Sequence, residues 1–387
     1  MISAVKKVSY VISIHNGFET FQYTLPIILR EFNREIAQLI IIDNASTDGL
    51  KDITSTFWDN SGVEYIRCNN KLKFGDALSE GIALAKGEWI CYLGDDDLVN
   101  FSVFAMYQQH FESVESDMIV TDSIRFNWLE GCEVAEVLFS ESQEKISVIN
   151  SEVARAEMLN KLSINAGGSF YIRKNIYAQI LKKTGHFTPP QGAEFFIFRA
   201  ALYLTKSVIL LKKPCFLHGR GLQGWGNAND RKREGNRWAN DFEYEGAFLE
   251  STFWVNRLYT AISYDAAHRV AKAFDDLESL DNRFWIRSFV AELLNPVTEA
   301  RTGISSNNLI TSYISHVLRQ RGLADTFYAV AYTFYRGSLN YFIKSRPNQS
   351  IRRGYQYQYS HPDHRKKLTL NELYLLMVND NLNKRNH

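Results

Sequence analysis

The sequence predicts an α/β fold, a doubly wound and mostly parallel sheet flanked by helices, with a mainly α-helical region after it. Two observations carry this. Through the first 130 residues, short apolar runs alternate with helix-like segments, the signature of repeated strand-helix-strand units. Beyond about residue 230 the strand signals thin out and helical periodicity takes over. The expected domains are therefore 1–230, carrying the sheet, and 231–387, mainly helical.

The strands expected in the first region are KVSYVISI (7–14), QLIII (38–42), VEYIRC (63–68), EWICYL (88–93) and DMIVTDSI (117–124). Several are apolar on both faces, as parallel strands buried between helical layers are. DALSEGIALAKG places Leu78, Ile82 and Ala85 on one helical face, with Gly87 as the expected carboxyl-terminal cap. Farther on, SINAGGSFYIRK suggests a strand with a glycine pair. HFTPPQGAEFFIFRAALYL suggests a proline-marked loop entering a helix whose first turn holds Glu194, and SVILLKKP another strand. NDRKREGNRWAND is a polar, basic boundary, and FEYEGAFLESTFWVNRLYTAISYDAAHRVAKAF is helical in period. The chain has neither an internal repeat nor a low-complexity tract.

Composition narrows the function. With 44 Lys plus Arg against 43 Asp plus Glu, no global charge draws the chain to nucleic acid. The four cysteines (Cys68, Cys91, Cys132, Cys215) stand far apart, without C-x-x-C spacing, and are expected reduced and buried. No run of about 18 apolar residues marks a transmembrane span. The opening apolar stretch breaks at HNG without a cleavage site and reads as a strand. A cytoplasmic protein is expected, with attachment to the membrane surface left open.

In open α/β sheets, ligands bind beyond the carboxyl ends of the strands. Three of those ends carry polar groups here: His15 and Asn16 after the first strand, DNASTDG from Asp43 after the second, and Asp95, Asp96 and Asp97 after the fourth. Three adjacent carboxylates repel one another unless a cation sits among them. Such a cluster suits Mn²⁺ or Mg²⁺, which take oxygen ligands and fill their remaining positions with water or substrate phosphates. A solvated acidic turn is the plain alternative. No G-x-x-x-x-G-K-[ST] and no G-x-G-x-x-G follows the first strand, which weakens P-loop and dinucleotide-binding readings.

Taken in order, VISIHNG, IIIDNASTDG and GEWICYLGDDD resemble the amino-terminal half of family 2 glycosyltransferases with the GT-A fold, over roughly residues 7–220. The resemblance implies an inverting transfer of a sugar from a nucleoside-diphosphate sugar (UDP, GDP or dTDP) to a hydroxyl of a saccharide or lipid-linked saccharide. Surface polysaccharide or glycan assembly is the implied setting. His15, Asp43 and Asn44 then resemble the nucleotide-base pocket, Asp95 the ribose and diphosphate contact, and Asp96 the ligand of the divalent cation. Gly94 stands where the family's Asp-x-Asp-Asp motif begins, and His15 where a Tyr is usual. Asp97 is expected to cap the next helix.

The family's base is a carboxylate ahead of a helix in the second half of the domain, followed by a strand ending in Pro. PPQGAEFFIFRAAL and then SVILLKKP match that arrangement and put Glu194 in the role, with Phe195 replacing the usual acidic neighbour. The plain reading of Glu194 is a carboxylate that complements the helix dipole. His218 is a candidate metal ligand, by likeness to histidines in some GT-A enzymes, and with Arg220 a candidate for the diphosphate. Lys73, ahead of Gly75, is another phosphate candidate. Trp225 offers a stacking face for a sugar or an anchor for the helical region.

Two rivals stand beside this reading. A sugar nucleotidyltransferase needs a glycine- and arginine-rich amino-terminal loop, which ISIHNGFETF does not supply. A non-catalytic scaffold of the same fold would bind a partner through its helical half. DTFYAVAYTFYRGSLNYFIKSRPNQSIRRGYQYQYSH mixes aromatics with Arg and Lys, and fits a domain core, a homodimer contact or an anionic membrane surface. YQYQY within it is a short strand or an aromatic platform.

Overall fold

The computed structural model describes residues 7–57, 63–128, 133–139, 145–159, 169–185, 192–220, 259–295, 305–344, 357–359 and 368–379. The chain divides into two compact units: residues 1–155, 165–227 and 354–387, and residues 156–164 with 228–353.

The first unit opens with β1 (Val8–Ile14), α1 (Phe18–Glu31), β2 (Ala37–Asp43), α2 (Leu50–Phe57), β3 (Val63–Arg67), α3 (Phe74–Leu84) and β4 (Trp89–Leu93). The strands are parallel in the order β3-β2-β1-β4. Every residue of β1, β2 and β4 is buried, which is why they read as unbroken apolar runs. The chain leaves β1 through α1 toward one side and comes back through α3 to β4 on the other. The carboxyl ends of β1 and β4 therefore flank a topological switch point, where open sheets bind ligands.

Leu78, Ile82 and Ala85 are buried as their spacing predicts. Gly87 has another job than the one expected. α3 stops at Leu84 with Ala85 as its cap, and Gly87 is pressed against β1, where a Cβ would come within 2.5 Å of the Ser9 amide nitrogen. Close approach of two backbones, not a left-handed turn, requires the glycine.

The unit continues with β5 (Leu98–Val99), α4 (Ser102–Ser113), β6 (Met118–Trp128), β7 (Glu133–Phe139), β8 (Ile146–Asn150), α5 (Ser151–Met158), β9 (Phe170–Arg173), α6 (Lys174–Thr184), α7 (Ala193–Leu204) and β10 (Ser207–Arg220). β9 lies antiparallel between β4 and β6, and β10 runs parallel to β6 and antiparallel to β5 and β8. The result is a mixed, twelve-stranded sheet whose parallel part holds the switch point.

The second unit is helical: α8 (Tyr259–Ala273), α9 (Asn282–Leu293), α10 (Ser306–Arg321) and α11 (Leu323–Lys344). Asp281 caps α9 by accepting from the Phe284 amide, and Ser305 caps α10 by accepting from Asn308. Gly322, at a φ of 84°, lets the chain turn from α10 into α11. Trp285, Phe289, Tyr313, Val317 and Ala329 fill the core, with the Phe289 and Tyr313 rings stacked at 5.0 Å.

The carboxyl-terminal end corrects the expected division. Residues 357–359 and 368–379, read as part of the helical region, pack with the sheet. β11 (Tyr357–Tyr359) and β12 (Leu368–Thr369) pair with β7, so the last three residues of YQYQY supply a strand. α12 (Leu370–Val378) starts with a capping box between Thr369 and Glu372 and buries Leu370, Leu373, Tyr374 and Met377 in the core of the sheet. The segments around Trp225, Gly167–Gly168, Pro189–Pro190 and the basic boundary at 229–241 lie outside the described residues. No helix among the described residues is long and apolar enough to cross a membrane.

Candidate active site

The ends of β1, β2 and β4 carry the polar residues singled out in the sequence, and the fold sorts them into two groups. The first is turned inward. Asp43, at the end of β2, is fully buried and accepts hydrogen bonds from the Ser46 amide at 2.7 Å, the Tyr65 hydroxyl at 2.6 Å and Arg67 Nη1 at 2.5 Å. The Asn44 carboxamide both donates to the Leu72 carbonyl (2.9 Å) and accepts from the Leu72 amide (2.7 Å), tying the loop to the segment ahead of α3. His15 Nδ1 lies 2.7 Å from the Asn44 carbonyl oxygen, which couples the ends of β1 and β2. Asn16, at a φ of 55°, donates its amide to Ser46 Oγ and accepts from the Thr47 amide. Asp48 accepts from the first amide of α1, that of Phe18, at 2.8 Å.

The second group gathers beyond β4. Asp95 Oδ2 accepts from Thr20 Oγ1 at 2.9 Å, and the Asp95 carbonyl accepts from Thr24 Oγ1 at 2.8 Å, so the loop is bolted to the first turns of α1. Gly17 has to be a glycine, because a Cβ there would collide with the Asp95 carboxylate. Burial pushes the Asp95 carboxyl up to about 6, the Thr20 hydrogen bond opposes this, and the charges of Asp97 and Asp48 add to it. Asp96 is partly open to solvent, as a residue that meets a ligand has to be.

Asp97 does not cap α4. The N-cap is Phe101, without a side-chain cap, and Asn100 ahead of it accepts from the Ser102 amide and hydroxyl. Asp97 is buried and closes its own turn, accepting from the Gly94 amide (3.1 Å) and the Gly219 amide (3.2 Å), with His218 Nδ1 also 3.2 Å away. His218 Nε2 sits 2.6 Å from Ser169 Oγ. Both ring nitrogens are engaged, so a metal would have to displace Ser169 or Asp97 to reach this histidine. Arg220 ends β10, two residues farther along.

Glu194 lies in the first turn of α7, behind Gly192 at a φ of 65°. Burial raises its carboxyl above the ordinary range; Arg199 on the same helix lowers it, and Asp97 raises it again. The connection to the acidic loop is Tyr92, on β4. Its phenol is pushed well up by burial and then by the charges of Glu194, Asp97, Asp95 and Asp96. One side chain thus feels the candidate base and all three loop carboxylates. The Phe74 ring meets Tyr92 edge-on at 5.7 Å, which brings Lys73, exposed at the start of α3, close to the same place.

Residues 9–181 match the profile of "Glycosyl transferase family 2". The match is confined to this amino-terminal region, less than half of the chain. The chain is similar to "Glycosyltransferase GlyG" of Streptococcus pneumoniae serotype 4, 25% identical over 125 residues, 32% of this chain and 41% of that protein. It is 29% identical over 110 residues to a "PGL/p-HBAD biosynthesis glycosyltransferase" of Mycobacterium tuberculosis, 26% of this chain and 43% of that one. Over 172 residues it is 24% identical to "Abequosyltransferase RfbV" of Salmonella typhimurium, 42% of this chain and 50% of that protein. The chain thus spans half or less of these curated relatives. Among solved structures, S. aureus TarS 1-349 in complex with UDP-GlcNAc aligns at a TM-score of 0.49 and 13% identity, covering 86% of this chain and 92% of that one, a distant likeness on which nothing in the site rests.

Within the matched region, the glycine at position 94 sits close to two of the loop carboxylates. A Cβ at position 94 would stand 2.9 Å from both Asp96 Oδ1 and Asp97 Oδ2, so the acid that usually begins the motif has no room. Tyr92, Thr20, Thr24 and Ser169 were not singled out from sequence. A trace of the two threonines was there: hydroxyls four residues apart on the otherwise apolar, buried face of α1.

The donor set suits one kind of metal site. Among the described residues, no cluster of three or more His, Cys, Asp or Glu forms a cage. A hard divalent cation that takes one or two carboxylates and completes its shell with substrate phosphates needs none.

Proposed function

We propose that this protein transfers a sugar, with inversion, from a nucleoside-diphosphate sugar to a hydroxyl of a saccharide or lipid-linked saccharide, in the assembly of a surface glycan. The observation that carries the reading is the acidic loop Asp95–Asp97, bonded to α1 through Thr20 and Thr24 and to Gly219 of β10, at the switch point of a sheet within the region that matches the family 2 profile. Glu194 removes the proton of the acceptor hydroxyl as its oxygen bonds to the anomeric carbon. The bond from that carbon to phosphate breaks on the opposite face, and the nucleoside diphosphate leaves. Burial suits Glu194 to this, because a carboxylate whose proton affinity is raised is a stronger base.

Asp96 would hold Mn²⁺ or Mg²⁺ together with the donor's diphosphate; the bound cation supplies positive charge where negative charge develops. Lys73, exposed just ahead of α3, is proposed to face the diphosphate. Asp43 and Asn44 fix the floor of the base pocket. With the Asp43 carboxylate already holding Arg67, Tyr65 and Ser46, a base would meet that hydrogen-bonded cluster as a unit.

The test is a thermal-shift screen of UDP, GDP, dTDP and CDP, each with Mn²⁺, Mg²⁺ or EDTA, on wild type and Asp96→Ala. Stabilisation by one nucleotide, dependent on metal and absent in Asp96→Ala, is the expected result and names the donor class. No response of folded wild type to any nucleotide would sink the donor site and favour the scaffold reading.

A further inference from the structure

Behind the acidic loop stands a chain of three buried polar side chains, Ser169, His218 and Asp97. Ser169 comes just before β9 and is 1% exposed, and its carbonyl accepts from the Thr121 amide of β6 at 2.9 Å. The residue is fixed to the sheet. Its hydroxyl oxygen lies 2.6 Å from His218 Nε2, and His218 Nδ1 lies 3.2 Å from Asp97 Oδ1. Phe216, two residues earlier on β10, stacks on the imidazole at 5.9 Å and holds the plane of the ring.

Donors and acceptors match in one direction only. Asp97 Oδ1 accepts from the Gly219 amide and Oδ2 from the Gly94 amide, so the carboxylate has nothing to donate and His218 Nδ1 has to carry the hydrogen. At the other end, the Ser169 hydroxyl has no acceptor but His218 Nε2 among the described residues, and a buried hydroxyl that could not donate would be left unsatisfied. Nε2 therefore accepts. The serine selects one tautomer of the ring, and that tautomer aims a donor at Asp97. Serine, histidine and aspartate in this order also make up the hydrolytic triad, but a hydroxyl this deeply covered has no path to a substrate, and the chain ends at the loop. The loop is then anchored on both flanks, Asp95 by Thr20 and Thr24 of α1 and Asp97 by the sheet. Asp96 lies between the anchors, partly open to solvent.

We propose that Ser169 is a positioning residue for the donor site: its hydroxyl fixes the His218 tautomer, His218 orients Asp97, and the loop is set to present Asp96. The inference rests on the donor site proposed above, and it gives His218 a supporting role in place of the ligand role expected from sequence. In Ser169→Ala the Nε2 lone pair loses its donor. The ring can then carry its hydrogen on Nε2, which turns a lone pair toward the Asp97 carboxylate.

The experiment reads tautomer and binding on the same chain. Long-range ¹H–¹⁵N spectra of metal-free, histidine-labelled protein, with His218 assigned by its loss in His218→Asn, should show the hydrogen on Nδ1, and Ser169→Ala should move the signal toward the other tautomer. Of UDP, GDP, dTDP and CDP, each titrated with Mn²⁺, the one that binds wild type should bind Ser169→Ala about three- to tenfold more weakly, the loss expected of one hydrogen bond, with a cooperative melt retained. Asn at 218 keeps a donor for Asp97 that needs no serine, so adding Ser169→Ala to His218→Asn should weaken binding no further. Four results would each overturn the proposal: hydrogen on Nε2 of His218 in wild type, equal binding by wild type and folded Ser169→Ala, a further additive loss in the double variant, or labelling of Ser169 by a fluorophosphonate, which would make it a nucleophile. Folded wild type that binds none of the four nucleotides would remove the donor site itself, and this inference with it.

Discussion

Two carboxylates at strand ends on either side of β1, Asp43 on β2 and Asp95 after β4, are held in opposite ways. Asp43 has its cation built in: Arg67 from the adjacent strand reaches it at 2.5 Å, and Tyr65 and the Ser46 amide take its remaining capacity. Asp95 has a hydroxyl from Thr20, and its own neighbours Asp97 and Asp48 are acids that push it the wrong way. Glu194, across Tyr92, is likewise raised by burial despite Arg199. A carboxylate supplied with its own cation fixes a loop. Carboxylates drawn partly out of water without full compensation are strained by one another, and an incoming cation with a diphosphate would relieve them. The difference separates framework from chemistry at a site where sequence shows only acids.

The largest break in that comparison should come from Glu194→Gln. If Glu194 takes the acceptor proton, turnover should fall by about 10²–10⁴-fold while nucleotide-dependent stabilisation persists. If it only complements the dipole of α7, turnover should change little, and the melting temperature would carry the effect. Rates measured beside thermal shifts decide between them.

Asp43→Asn tests the framework half. The substitution keeps the shape but removes the charge facing Arg67 and leaves one of the donors without its acceptor. A loss of about 2–4 kcal/mol in unfolding free energy, read from denaturant midpoints, is expected. A smaller third effect belongs to Gly219→Ala, where the new methyl meets the Asp96 carbonyl and the Trp128 indole nitrogen. About 1–3 kcal/mol is expected, with a weaker nucleotide response because the acidic loop has to move.

The framework was legible wherever one physical rule acted alone. β1, β2 and β4 are buried on both faces, so their apolar runs mark them without ambiguity, and the polar residues at the end of each run mark the switch point. Gly87 was misassigned because glycine records two different needs, a positive φ or a close approach, and sequence does not say which. The return of residues 368–378 to the sheet could not be read, since the spacing of Leu370, Leu373 and Tyr374 gives an amphipathic helix without giving the surface it packs on. Asp97 looked like a helix cap because Asp commonly is one. Only the fold reveals that Gly219, more than a hundred residues away in sequence, offers it an amide.

The subtlest way to sharpen the contrast between the two carboxylates uses pH. An acid whose proton affinity is higher in the folded than in the unfolded chain stabilises the fold below its unfolded pKa, and that contribution is lost as pH rises through the folded value. For Asp95 the window runs from the ordinary carboxylate range up to about 6. In Asp95→Asn the group no longer ionises, and the amide can keep the oxygen that accepts from Thr20. The variant should therefore melt above wild type at pH 7.5, by a margin on the order of 1 kcal/mol because solvent reaches the partly open side chain, and the margin should close as pH falls toward 4. Nucleotide with metal should narrow it too, by stabilising wild type alone. A variant less stable than wild type at pH 7.5 would show that the Asp95 carboxylate is already compensated by groups within the fold, as Asp43 is, and would move it from the chemistry to the framework.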